Sequence, residues 1–133
     1  MSGYAVAQIH EIDEISDGRC PWRPVRFHFG ITSFGVNAFT AHEVGDRLIN
    51  EHDESQEHDL QEELYLVVEG RARFVCDGEP VELGPGELLY ARPGVRREAV
   101  ALETPTMVFM VGGRPGQAYS PPIWAHDWRE PRS

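Results

Sequence analysis

Two stretches hold most of the side chains that could do chemistry. Residues 51–63, EHDESQEHDLQEE, set His52 and His58 among carboxylates. Imidazole and carboxylate together can move protons near neutral pH or hold a divalent metal. Residues 86–100, GELLYARPGVRREAV, collect Arg92, Arg96 and Arg97 around one Pro93-Gly94 turn, in a chain with only 12 Lys and Arg. A guanidinium stays charged and offers paired donors, which suits a carboxylate, enolate or phenolate partner. Histidines in an acidic loop can equally be solvated surface, and His42 and His126 show that histidine is scattered here. The chain has no Ser-His-Asp order, no phosphate-cradling glycine loop and no Cys-x-x-Cys pair.

The elements that must position these groups read as strands. Period-two runs bounded by turn residues dominate from about residue 25 onward. VRFHFG, FGVNAFTA and RLINEH read as strands; EELYLVVEGRARFVCDGEPVEL is the clearest segment, turning at Glu69-Gly70 and Asp77-Gly78. ELLYARPG, RREAVAL and TMVFMVGG add three more. QIHEIDEIS is the one weak helical candidate. About eight short antiparallel strands with evenly spaced turns predict an all-β closed barrel or jelly roll. The 13 glycines and 10 prolines, spread throughout, agree.

At 133 residues the chain has the size of one domain: a core barrel over about 25–112, an N-terminal arm over 1–24 and an aromatic tail over 113–133. The prolines of the tail rule out a central strand, and Tyr119, Trp124 and Trp128 are expected to anchor it on the barrel surface or at a subunit interface. A net charge of −10 argues against nucleic acid and anionic membranes. No apolar run approaches a bilayer span, and the first residues lack a signal-peptide pattern, so a cytoplasmic protein is expected. Cys20 and Cys76 are too few for a disulfide framework.

Between about residues 34 and 112 the chain resembles the cupin superfamily, small double-stranded β-helix barrels. Glu63, LYLVVE and Gly70 fit the end of its first motif without gaps. Gly86, ELLYAR, Pro93 and Gly94 fit the second, but the histidine that follows is replaced by Arg97. The narrower likeness is to small single-domain cupins ending in a VGGRPGQAY-like extension. In metal-binding relatives the ligands are a His-x-His pair, the first-motif Glu and the second-motif His. The family spacing lands on Gln56 and His58, or, with a loop insertion, on His52 and Glu54. The resemblance thus implies His52, Glu54, His58 and Glu63 as the places for iron, manganese, zinc or nickel. Arg97 cannot donate a lone pair and repels a cation, so a degenerate site without metal is the preferred expectation.

Strand alternation puts Arg97, Ala99 and Ala101 on one face and Arg96, Glu98 and Val100 on the other. If the resemblance sets the register, the Arg97 face looks inward. Two alanines beside it leave room for a ligand. Glu63, which shares a face with Tyr65 and Val67, is then the anionic partner that a buried arginine requires. The plain alternative is an internal Arg97–Glu63 ion pair filling the old metal site. Tyr90 could line the cavity or pack beneath it. The resulting expectation is a small-molecule-binding cupin, forming a homodimer, with Arg97, Tyr90 and Ala99 holding ligand. Glu63, Tyr65 and His58 would carry acid–base chemistry of an isomerase, cyclase or lyase type. A metal-dependent oxygenase and a non-catalytic metabolite-binding module are the alternatives.

Overall fold

The computed structural model describes residues 3–16, 20–56 and 60–116. Its strands form two sheets, with every pairing antiparallel. One sheet runs in the order β1 (Trp22–Arg23), β2 (Gly35–Ala41), β9 (Thr106–Gly113), β4 (Glu62–Glu69) and β7 (Leu88–Ala91). The other runs β3 (Arg47–His52), β8 (Arg97–Ala101), β5 (Ala72–Cys76) and β6 (Glu79–Leu83). The fold is the all-β double-stranded β-helix that the alternation and the resemblance implied.

Leu48, Tyr65, Val67, Phe74, Ala99 and Val108 fill the space between the sheets. Each large side chain buried there contributes roughly 1.5–3 kcal/mol of transfer free energy. β2 alternates for a different reason. Its Val36 and Ala38 pack outward, with Met107, beneath Ile12 of the N-terminal arm and Val25 just after it. Its Asn37 and Phe39 face the barrel cavity. The arm therefore covers the outer face of the larger sheet.

Two turns carry the topology. Gly70 adopts φ 78°, and a Cβ there would collide with Thr106 Oγ1 and the Pro105 carbonyl, so only glycine lets β4 turn into β5. Asp77 and Gly78 have φ of 49° and 84°, the paired positive values of a tight hairpin turn.

The segment VRFHFG departs from its expected strand. Val25–Phe29 is a short helix, α1, with Pro24 before it and Gly30 in the left-handed conformation behind it. The amide of Gly30 donates to the carbonyls of Arg26 and Phe27. Proline ahead and glycine behind favour a helical turn, and the apolar alternation has no sheet to bury it, since Phe27 is 79% exposed. QIHEIDEIS is reduced to one 3₁₀ turn, Ile9–Glu11. The tail from residue 117 on, with Tyr119, Trp124 and Trp128, lies outside the described residues. No described helix is long and apolar enough to cross a membrane.

Candidate functional site

Alternation along β4 turns Glu63 and Tyr65 inward and leaves Leu64 on the outer face. β3 ends at His52, whose register partner on β8 is Arg97. Glu54 follows in the loop, where its amide donates to the Pro93 carbonyl at 2.6 Å. That bond ties the loop to the Pro93-Gly94 turn and so fixes where Glu54 sits.

These elements converge on a cavity of about 350 Å³. Its polar end is His52, Glu54, Glu63 and Tyr65; Phe39, Leu48, Ile49 and Met110 form an apolar wall. The Tyr65 hydroxyl donates to Glu63 Oε1 at 2.6 Å. His52 Nε2 lies 3.1 Å from Glu54 Oε1 and 3.7 Å from Glu63 Oε1, while Nδ1 meets the Asn50 carbonyl at 2.7 Å. Arg97 is fully buried behind Glu63, with Nη2 3.7 Å from Oε1. The same nitrogen donates to the carbonyls of Ala91 and Arg92 at 3.5 and 3.3 Å. Nε and Nη1 of Arg97 have no hydrogen-bond partner among the described residues.

The site's charges shape one another. Burial pushes the Glu63 carboxyl up, but the close contact with His52, the hydrogen bond from Tyr65 and the charge of Arg97 outweigh it and hold the group below its ordinary value. Contact with Glu63 raises the His52 imidazole against the opposing effect of burial, with Asn50 and Glu54 adding to the rise. Burial, then the adjacent Glu63 charge, drives the Tyr65 phenol far up, so it remains a donor.

Residues 49–112 match the family model described as a cupin domain. That stretch of the chain is a cupin domain. No curated protein matches the chain's sequence significantly. Among solved structures it resembles a Cupin 2 conserved barrel domain protein from Salinispora arenicola at 16% identity and TM-score 0.68, covering 86% of this chain and 92% of that one. A cupin protein from Bacteroides fragilis gives 18% and 0.65, with 92% and 94% covered. A protein described as a sugar phosphate isomerase from a cupin superfamily, from Silicibacter pomeroyi, gives 18% and 0.64, with 83% and 76% covered.

For a cupin the donor set is altered in a particular way. Of the two registers open from sequence, the structure describes His52 and Glu54 beside Glu63; Gln56 is exposed, and its partner His58 lies outside the described residues. One ligand atom from each lies within 4.8 Å of the others. With Nδ1–H engaged by the Asn50 carbonyl, His52 would present the Nε2 lone pair, as a metal-binding imidazole does. The three therefore fit a divalent ion as a one-sided, oxygen-rich set. Arg97 stands behind Glu63 and contributes charge but no lone pair.

Other candidates fall elsewhere. Ala99 packs in the core, and Arg97 is enclosed; neither lines the cavity. Tyr90 is on the outer face, 56% exposed, and donates to Glu62 at 2.7 Å. Arg96 is exposed and paired with Glu51 and Asp53 on the rim. His58 lies outside the described residues. The cavity also takes in Trp22 and Cys20 from the arm, and Asn37 and Asn50 from β2 and β3. Asn50 was readable, standing two residues before His52 on the same strand. Trp22 and Cys20 reach the cavity through the fold of the arm, which leaves no local signal.

Proposed function

We propose that this cupin binds a small organic metabolite in the cavity beside His52 and acts on it by proton transfer without metal, as an isomerase, cyclase or lyase does. One observation carries the reading: His52 and Glu63, 3.7 Å apart on one cavity wall, have pKa values pushed away from their ordinary values by each other and their surroundings. Paired groups with opposed shifts are how one site holds an acid beside a base. His52 retains its proton toward neutral pH and gives it to a substrate oxygen. Glu63, ionised, takes one from carbon. Tyr65 holds the Glu63 carboxylate in place, and Arg97 supplies a fixed positive charge behind it. The name of the Silicibacter pomeroyi protein, sugar phosphate isomerase, agrees with this reaction class.

The test is deuterium incorporation next to the carbonyl of small hydroxyketones and aldoses, followed by proton NMR with chelator present. Exchange above buffer, lowered about a hundredfold or more in Glu63→Gln and in His52→Gln, is expected. No exchange across the panel, or exchange indifferent to both changes, overturns the reading.

The grouping of His52, Glu54 and Glu63 favours a second reading, a metal-dependent cupin oxygenase. An ion held there would act as a Lewis acid on a substrate oxygen. Activity abolished by chelator and restored by iron would select it.

For assembly we propose a cytoplasmic homodimer that takes no nucleic acid. Exposed Leu64, Leu88 and Tyr90 on the outer face support a self-association surface. A monomer in sedimentation at micromolar concentration would overturn the dimer.

A further inference from the structure

At the polar end of the cavity the described Tyr65 and His52 donors already face acceptors of the protein itself. The Tyr65 hydroxyl is committed to Glu63, and His52 Nδ1 to the Asn50 carbonyl. His52 Nε2 already faces Glu54. Arg97, which with His52 is a described cation in contact with Glu63, has no surface open to the cavity, because the whole residue is buried. Arg96 is exposed on the rim with Glu51 and Asp53. The indole N–H of Trp22 is buried too. Of the described lining residues, the amides of Asn37 and Asn50 are the remaining neutral donors.

Acceptors dominate the same end. Glu54 and Glu63 both line the cavity, and a carboxylate offers about four lone-pair sites and no donor when ionised. The opposite wall is apolar, with Phe39, Leu48, Ile49 and Met110, and about 350 Å³ is room for a small ligand only.

We infer that the cavity selects a small molecule with an apolar body and a hydrogen-bond-donating head, a hydroxyl or a protonated amine, and excludes the same body carrying a carboxylate. This reverses what Arg97 alone suggests from the sequence, because its charge reaches the cavity only through Glu63. A carboxylate ligand would meet Glu54 and Glu63 without touching the guanidinium, and like charges brought together at close range are strongly disfavoured. A donor head would meet two acceptors. The inference rests on the reading above only in taking this cavity as the ligand site.

The experiment is calorimetric binding of phenethyl alcohol, phenethylamine and phenylacetate to the full-length, chelator-treated protein. The three probes share one apolar body and differ in the head. The alcohol and the amine should bind, and phenylacetate should bind at least about tenfold more weakly. Glu54→Gln should shrink the gap between amine and carboxylate about tenfold while leaving phenethyl alcohol bound, which also reports that the variant is folded. Glu82→Gln, on the far edge strand β6, should leave the ranking unchanged. Phenylacetate binding as tightly as the amine, no binding by any probe, or loss of all three in Glu54→Gln would overturn the inference. Failure of the proton-exchange assay leaves this ranking intact, and a reversed ranking leaves that assay intact, so the two readings fail separately.

Discussion

Glu62 and Glu63 are neighbours on β4, and each accepts a hydrogen bond from a tyrosine at almost the same length: 2.7 Å from Tyr90 and 2.6 Å from Tyr65. The first pair stands on the outer face in water. The second is buried beside Arg97 and His52. Both phenols are raised, Tyr90 chiefly by its bond to Glu62 and Tyr65 chiefly by burial, but the shift at Tyr65 is by far the larger. Equal geometry therefore gives unequal chemistry. Low dielectric strengthens every charge around Glu63 and makes each partner costly to lose, whereas water screens the outer pair. Arg96 and Arg97 repeat the contrast one residue apart, on the rim and in the interior.

The largest effect should come from breaking the inner side at its cation. Arg97→Met keeps much of the volume and removes the charge, leaving Glu63 buried beside fewer partners. A loss of about 3 kcal/mol in urea unfolding is expected, against a change within about 0.5 kcal/mol for Arg96→Met. Equal losses would mean that burial does not separate the two arginines. Next, Tyr65→Phe should cost about 1.5–2 kcal/mol, because a buried carboxylate loses a donor, and Tyr90→Phe should leave the unfolding midpoint unchanged.

The dependence of stability on pH sharpens the same comparison. Glu63 is depressed on folding, so its contribution is present above its ordinary value of 4.5 and is lost as pH falls through the lower folded value. His52 is raised, so its contribution is full below 6.5 and is lost as pH rises through the higher folded value. Both contributions are complete between pH 4.5 and 6.5. Unfolding followed across pH should place the maximum there, and Glu63→Gln should flatten the acid limb. The smallest effect is expected at the rim, where Glu51→Gln removes a screened partner of Arg96 and should be silent in both stability and probe binding.

Much of this contrast was legible beforehand, for a simple reason. Period-two alternation decides which face a strand residue takes, so Glu63 and Tyr65 on one side, and Arg97 opposite Arg96 in orientation, follow from spacing alone. Depth does not. Nothing in RPGVRR says that Arg97 ends behind Glu63 and not beside a ligand; that depends on β3 placing His52 against it and on the 53–56 loop being tied to Pro93. His52 and Glu54 come to Glu63 through the loop that follows β3, and loop geometry carries no periodic signal. The VRFHF segment misled because its alternation looks like a strand, while Pro24 and Gly30 close it into a helical turn.

The central claim is that Glu63 is a buried but ionised carboxylate held so by the groups around it, Arg97 among them. Its most direct test is carbon-13 NMR titration of the Glu63 side-chain carboxyl in the intact protein and in Arg97→Met. Titration below 4.5 in the native protein, moving upward in the variant, is the predicted result. A Glu63 that titrates at or above 4.5 in the native protein, or that does not move when Arg97 is replaced, would contradict the account.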